Sequence, residues 1–287
     1  MSDRTVKALH PALRDDIGDL TTRRPLPGPG LPLLDPFLFL NHHGPQVYPP
    51  GNGGLPFGPH PHRGFETVTF IVEGSLAHHD SGGHESVIEA GGVQWMTAGR
   101  GLEHAEVSPA AFLRDGGPLE ILQLWVNLPA RLKMVAPRYV GRQGSDIPSL
   151  SLDQGRVQLD LISGRFDGAE GAVDSLTGVF MATVALEAGG SLRLPAPRGH
   201  TVFLYVVRGT VAVGGRSVAP WHLVEMNDDG DGLVLEAAEP ALVAFGHARP
   251  IGEPVVAHGP FVMNSREEIL TAIRDYQAGR FGPPLVV

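Results

Sequence analysis

Two short stretches of the sequence carry residue types that bind metal ions. The first contains His60 and His62, and the second contains His104 and Glu106. Alternate side chains of an extended strand point to the same face, so the members of each pair can reach a single ion. If two such strands face each other inside a barrel, three imidazoles and one carboxylate would surround one divalent metal. These four residues are the predicted metal ligands.

This set of ligands limits the metal without choosing it. Imidazole and carboxylate groups suit iron, nickel, copper, manganese, cobalt and zinc. Four protein ligands leave two open positions on a six-coordinate ion, as a metal that binds a substrate or dioxygen requires. Free histidine titrates near ~6.5 and binds metal in its neutral form, so the metal should be lost as the pH falls towards about 5.

Residues beside the two stretches are candidates for supporting the metal or lining a substrate pocket: Glu66, Arg63, Trp95 and Met96. Glu66 lies four residues after His62, so strand parity leaves it open as the carboxylate ligand in place of Glu106. Arg63 could orient an anionic substrate or bridge two loops. Of Trp95 and Met96, one is expected in the core and the other at the cavity.

The residue patterns of these stretches resemble the motifs of a known family. The pattern G-x5-H-x-H-x3-E-x7-G is similar to the first cupin motif with one residue added. The segments HPHRGFETV (60–68) and QWMTAGRGLEHAE (94–106) resemble the pirin family, and DPFLFLN (35–41) and GPFVMNSREEI (259–269) extend the resemblance towards both ends. It covers most of the chain and is weak only around residues 140–180.

The resemblance carries implications for the site and for function. The general cupin motif would take Glu66 as the fourth ligand, whereas pirins take the glutamate two residues after the last histidine, here Glu106. Pirins resemble cupin dioxygenases, which implies quercetin 2,3-dioxygenase-like cleavage of a flavonol or related enol with Fe(II) and dioxygen, Glu106 being the catalytic carboxylate. The alternative is a non-catalytic, redox-responsive partner of a transcription factor or a metabolic enzyme.

Composition and an internal repeat predict an all-β fold. The 287 residues include 38 glycines and 26 prolines, and only 18% are charged, which favours many short strands and turns. Aligning Gly74 with Gly209 superimposes TVTFIVEGSL on VFLYVVRGTV, while His60 and His62 fall on Pro195 and Pro197. The repeat therefore predicts two packed barrels of one type, and the resemblance implies that these are jelly-roll-like cupin barrels.

The predicted domains follow from this repeat. An N-terminal cupin barrel over 1–135 would hold the metal, and a C-terminal barrel over 136–287 would lack the ligands. The segment 266–279 is expected to form an amphipathic helix, because Ser265 and Glu268 match a capping box. Histidines outside the metal site are expected to be structural, with His42 and His43 in a loop or at the surface.

Charge and residue usage exclude several classes of protein. A formal net charge of −9 argues against direct nucleic-acid binding, which needs clustered cations. The chain has no cysteine, its first residues are charged where a signal peptide is apolar, and no run is long enough to span a membrane. We expect a cytoplasmic monomer, and the resemblance implies a small aromatic or enol substrate and a possible protein partner.

Overall fold

The fold is built almost entirely from short antiparallel strands. The computed structural model describes residues 2–285. The first half of the chain forms one short helix, α1 (Ala110–Asp115), and the strands β1 (Val6–Pro11), β2 (Leu13–Arg14), β3 (Thr22–Leu26), β4 (Phe37–Tyr48), β5 (Phe57–His62), β6 (Phe65–Glu73), β7 (Ser75–Asp80), β8 (Glu85–Glu89), β9 (Val93–Thr97), β10 (Leu102–Val107), β11 (Gly117–Asn127) and β12 (Arg138–Arg142).

The second half repeats this pattern and ends in a helix. It forms β13 (Ser149–Leu152), β14 (Val157–Ser163), β15 (Arg165–Phe166), β16 (Ala169–Glu170), β17 (Phe180–Leu186), β18 (Ser191–Pro195), β19 (Thr201–Arg208), β20 (Val211–Val213), β21 (Arg216–Val218), β22 (His222–Met226), β23 (Gly232–Ala237), β24 (Ala241–Ala248), β25 (Val256–His258), β26 (Phe261–Met263) and α2 (Arg266–Gln277). Short 3₁₀ helices cover Ala130–Leu132, Gly144–Asp146 and Asp153–Gly155.

The compact unit that contains the metal-binding stretches comprises residues 14–23, 37–145 and 251–285. Its four-stranded sheet has the order β5-β10-β7-β8, and its seven-stranded sheet has the order β12-β9-β6-β11-β4-β3-β2. The interior strand β6, FETVTFIVE, is rich in the β-branched and aromatic residues that favour strands. It lies between Gly64 and Gly74, which adopt the positive φ angles that turns require (+90° and +83°).

The other compact unit comprises residues 2–13, 24–36 and 146–250. Its sheets have the orders β1-β22-β19-β24-β17-β14-β13 and β18-β23-β20-β21, so the strand pattern of the first unit recurs. The alignment of Gly74 with Gly209 holds in the structure, because β6 and β19 both end immediately before these glycines and each is the third strand of its seven-stranded sheet. Two units with the same strand order and a C-terminal helix match the predicted all-β architecture of two barrels.

The compact units differ from the predicted ranges at both ends of the chain. The main division lies between residues 145 and 146. Each terminal segment belongs to the unit that is built mainly from the other half of the chain. Residues 2–13 join the second barrel because β1 pairs with β22, and 251–285 belong with the first barrel. Long-range pairing of this kind leaves no local signal in the sequence. Met1, Val286 and Val287, which the predicted ranges included, lie outside the described residues.

Two local predictions have opposite outcomes. The C-terminal helix has the predicted capping box, because the Ser265 hydroxyl accepts from the Glu268 backbone N–H while the Glu268 carboxylate accepts from the Ser265 N–H. The loop or surface placement of His42 and His43 is wrong: both lie buried within β4 at 0% and 3% exposure. None of the helices in residues 2–285 combines the length and apolar character needed to cross a bilayer.

Candidate metal centre

Three of the four predicted ligands converge in the four-stranded sheet. His60 and His62 lie on β5 and His104 lies on β10, which pairs antiparallel with β5 so that His104 is directly opposite His60. One nitrogen from each ring lies within 4.8 Å of the others, and His62 and His104 are buried at 3% and 0% exposure. The three side chains could therefore hold one metal ion.

The hydrogen bonding of the three rings fits a metal. His60 Nδ1 lies 2.7 Å from the Gly58 carbonyl oxygen, and His62 Nδ1 lies 3.3 Å from that of Pro260. Nδ1–H donation to these carbonyls leaves Nε2 of each ring as the metal-binding atom. Both His104 nitrogens are buried and have no hydrogen-bond partner among residues 2–285. A buried imidazole without partners is costly, and coordination would satisfy it.

Burial keeps these histidines neutral. Desolvation lowers the pKa of His62 to about 3 and lowers the pKa of His60 and His104 as well, since each ring is removed from water beside other imidazoles. Neutral imidazole is the form that binds a metal ion. The three rings are therefore in their metal-binding form at neutral pH.

Glu106 lies two residues beyond His104 on β10, outside the group formed by the three histidines. Its carboxylate accepts hydrogen bonds from the Thr69 hydroxyl and the Gln123 side-chain amide, both at 2.9 Å. Burial raises its pKa to about 7. Because both donors are neutral, no positive charge offsets the buried carboxylate, and a nearby divalent cation would stabilise it. Such an environment suits a buried metal ligand or proton acceptor.

Glu66 occupies a different environment. It accepts hydrogen bonds from Thr97, at 2.6 Å, and from Trp95, and burial raises its pKa. The regular register of β6 with β9 places Glu66 on the opposite face of β6 from Thr69, the donor to Glu106. Glu66 and Glu106 therefore lie on opposite sides of one sheet.

The other residues predicted to support the metal or line a pocket are Arg63, Trp95 and Met96, and their contacts are with other parts of the protein fold. Arg63 donates to the Arg100 carbonyl at 2.6 Å and pairs with Asp275 at 2.8 Å, so it ties the two metal-binding stretches to helix α2. Met96 packs with Leu102 in a small buried cluster. Trp95, on the alternate face of β9, shares the side of Glu66.

Sequence reasoning missed Thr69, Gln123 and Lys133. Thr69 and Gln123 are polar positions with apolar residues on either side in β6 and β11, and this interruption is a signal that could have identified them. Lys133 directly follows the short 3₁₀ helix Ala130–Leu132. It is 1% exposed, and its ammonium donates to Gly64, Asn127 and Val262.

The second barrel has no comparable site in the described residues. Its strands β18 and β23 correspond to β5 and β10, and they contribute Leu192, Leu194, Leu233 and Leu235 to an apolar core. We therefore predict one tightly bound transition-metal ion per chain, held only by the first barrel. Elemental analysis of freshly purified protein checks this number, and two tightly bound ions per chain would contradict it.

As the pH falls, protonation of Glu106 should weaken metal binding at a higher pH than protonation of the histidines does. Below about pH 7 a proton competes with the metal for Glu106, whereas His62 binds a proton only near about pH 3. If Glu106 is a ligand, the dissociation constant should rise about tenfold per pH unit below neutrality, as one competing proton dictates. Titrations of metal binding from pH 8 to 4 measure this slope. A steeper, multi-proton loss centred near ~6.5 would instead indicate ordinary, exposed histidines.

Comparison with known proteins assigns both halves of the chain. A family model described as Pirin matches residues 19–126, and one described as Pirin C-terminal cupin domain matches residues 181–282. A Pseudomonas aeruginosa protein named "Putative quercetin 2,3-dioxygenase" is 42% identical over 248 residues, covering 86% of this chain and 87% of that protein.

Solved structures share the fold. The crystal structure of a quercetin 2,3-dioxygenase from Acinetobacter baumannii is 33% identical, with a TM-score of 0.92 over 99% of this chain and 100% of that chain. A bacterial pirin from Escherichia coli in complex with nickel(II) is 22% identical, with a TM-score of 0.67 over 85% of this chain and 99% of that chain. The second likeness is one of fold alone.

Proposed function

The chain belongs to the pirin family, and from this membership and its three-histidine site we propose that it is a metal-dependent cupin dioxygenase. The observation that carries the proposal is the convergence of His60, His62 and His104, with both His104 nitrogens buried and unpartnered. The proposed metal is Fe(II), with nickel, copper, manganese, cobalt and zinc as alternatives. The similar structure from E. coli holds nickel(II).

The proposed reaction is quercetin 2,3-dioxygenase-like cleavage of a flavonol or related enol. A bound metal would supply open coordination positions for an enolate oxygen and for dioxygen. Glu106 would serve as the fourth ligand and as the acceptor of the enol proton. Hydrogen bonds from Thr69 and Gln123 hold the orientation of its carboxylate.

Aromatic side chains near the histidines suit a planar substrate. The Trp125 ring lies 5.3 Å from the His62 ring, and both Trp125 and His60 are only partly buried. Phe57, on the same strand as His60, is also partly buried. Partly exposed aromatic rings beside a ligand provide flat apolar surface that a flavonol can contact.

Oxygen uptake tests this proposal. Purified protein loaded with Fe(II) should consume dioxygen when quercetin is added, and a His104→Ala variant that has lost the metal should not. Separate trials with nickel, copper, manganese and cobalt cover the alternative ions. If no metal supports turnover, the dioxygenase proposal fails and a redox-responsive binding protein is the better interpretation. We also propose that the protein is a cytoplasmic monomer that does not bind nucleic acid directly.

A further inference from the structure

A cavity of about 380 Å³ lies in the unit that contains the metal centre. Its walls come from the β7–β8 turn (81–84), the glycine turn before β10 (99–101), the residues leading into β12 and the C-terminal residues 280–282. None of the three clustered histidines lines it. Its volume lies within the range of pockets that bind small molecules.

Three arginines give this cavity a positive lining: Arg100, Arg138 and Arg280. Arg100 is exposed, and its guanidinium has no acidic partner among residues 2–285. Arg280 pairs with Asp275 at 2.7 Å, but the same carboxylate also pairs with Arg63 at 2.8 Å. One negative charge is thus shared by two guanidinium groups, which leaves a surplus of positive charge.

Among the residues that line the cavity, the three arginines outnumber the acidic groups. Asp80 lines the cavity, but its buried carboxylate accepts hydrogen bonds from the Gly82 N–H at 2.8 Å and the His84 N–H at 3.1 Å, and it contacts the His78 and His84 rings at 3.1 Å. Glu66 interacts electrostatically with Arg138 but does not line the cavity. Glu103 accepts from Tyr276 and from the backbone of Leu285.

The cavity wall is preformed. Phe281 is 4% exposed, and the Arg63 guanidinium lies 4.7 Å from the centre of its ring. A Cβ atom at Gly101 would approach that ring to 2.6 Å, so only glycine allows this contact. The Ser81 hydroxyl donates to the Phe281 carbonyl and fixes the C-terminal residues against the β7–β8 turn. Leu102 and Pro137 add apolar surface beside the arginines.

We propose that this arginine cavity binds a small organic oxyanion, a carboxylate or a phosphate ester with a compact apolar body. Guanidinium groups bind both oxyanions through paired hydrogen bonds, and the apolar wall would contact the remainder of the ligand. In a chain with a formal net charge of −9, a local positive lining of this kind concentrates anions. The site is separate from the proposed reaction at the metal and does not depend on it.

Calorimetric titration of the metal-loaded protein tests the proposal with two probes, inorganic phosphate and benzoate, at constant ionic strength set by chloride. Saturable binding of at least one probe is expected. The double substitution of Arg100→Gln and Arg138→Gln should weaken it by at least about tenfold, because it removes two charge-assisted contacts. Arg114→Gln is the matched control, since Arg114 is exposed and pairs only with its neighbour Asp115.

The metal content of each variant is measured in parallel, so that loss of binding cannot come from loss of the ion. Preference for benzoate would identify a carboxylate ligand that uses the apolar wall, and preference for phosphate would identify a phosphate ester. The proposal is overturned if neither probe binds saturably. It is also overturned if the double variant binds as tightly as the unchanged protein, because the anion would then bind elsewhere.

Discussion

Glu106→Gln is expected to weaken metal binding by more than about 100-fold, beyond the ~10–100-fold that a group behind the ligands typically contributes. The amide keeps the shape of the side chain and removes its charge. Glu106 follows His104 by two residues on one strand, and Thr69 and Gln123 orient its carboxylate. Metal affinity is measured by competition with a chelator of known strength.

Glu66→Gln is the matched control for this substitution. Glu66 is also a buried glutamate, but it lies on the opposite face of β6 from Thr69, so its loss should change metal affinity by about tenfold or less. The reverse pattern, in which Glu66→Gln empties the site and Glu106→Gln leaves it filled, would establish the general cupin assignment. Thermal unfolding of both variants separates loss of a ligand from loss of the fold.

Lys133→Met should lower the free energy of unfolding by about 3 kcal/mol and also weaken metal binding. Three buried acceptors would lose their donor, and each such group costs about 1–3 kcal/mol, partly recovered as the structure relaxes. They are the carbonyls of Gly64 and Val262 and the Asn127 side-chain oxygen, at 2.7–3.0 Å from the ammonium. Burial lowers the pKa of Lys133 to about 8, so the ammonium stays protonated at neutral pH.

The effect on the metal follows from the position of Gly64, between His62 and Phe65. The backbone there has a φ of +90°, and a Cβ atom would lie 2.0 Å from the Val262 carbonyl oxygen, so the chain has little freedom. Lys7→Met, which replaces the chain's other lysine, is the control, because Lys7 is exposed and pairs with Glu225. Denaturant unfolding and metal titration of both variants measure the effects. Equal stability of the two variants would show that the hydrogen bonds of Lys133 do not stabilise this turn.

The sequence alone determined the features that depend on short-range periodicity. The two-residue spacing of His60 and His62, together with His104 in its glycine frame, predicted the three-histidine group, because strand alternation is a local property. The same reasoning predicted two barrels of one type and the capped helix α2. It also predicted that the second barrel lacks these ligands, since the repeat places Pro195 and Pro197 where the first barrel has histidines.

Only the tertiary structure decided how the environments of Glu66 and Glu106 differ. From the sequence, Glu66 shares the parity of His62, but the chain turns at Gly64 and β6 begins a new register in a different sheet. Side chains alternate between two faces only within one uninterrupted strand. The turn at Gly64 therefore removes the basis for placing Glu66 on the same face as His62. Which acceptors surround Lys133 likewise depends on Val262, which is distant in the chain.

The exchange of terminal segments and the arginine cavity have the same origin. Residues 2–13 belong with the second barrel and 251–285 with the first, and the cavity draws its arginines from positions 100, 138 and 280. Such groupings arise when distant segments bury their apolar surfaces and complete their hydrogen bonds together. Local propensity and spacing describe neighbours along the chain, whereas burial and charge balance depend on all the segments that meet in the folded protein.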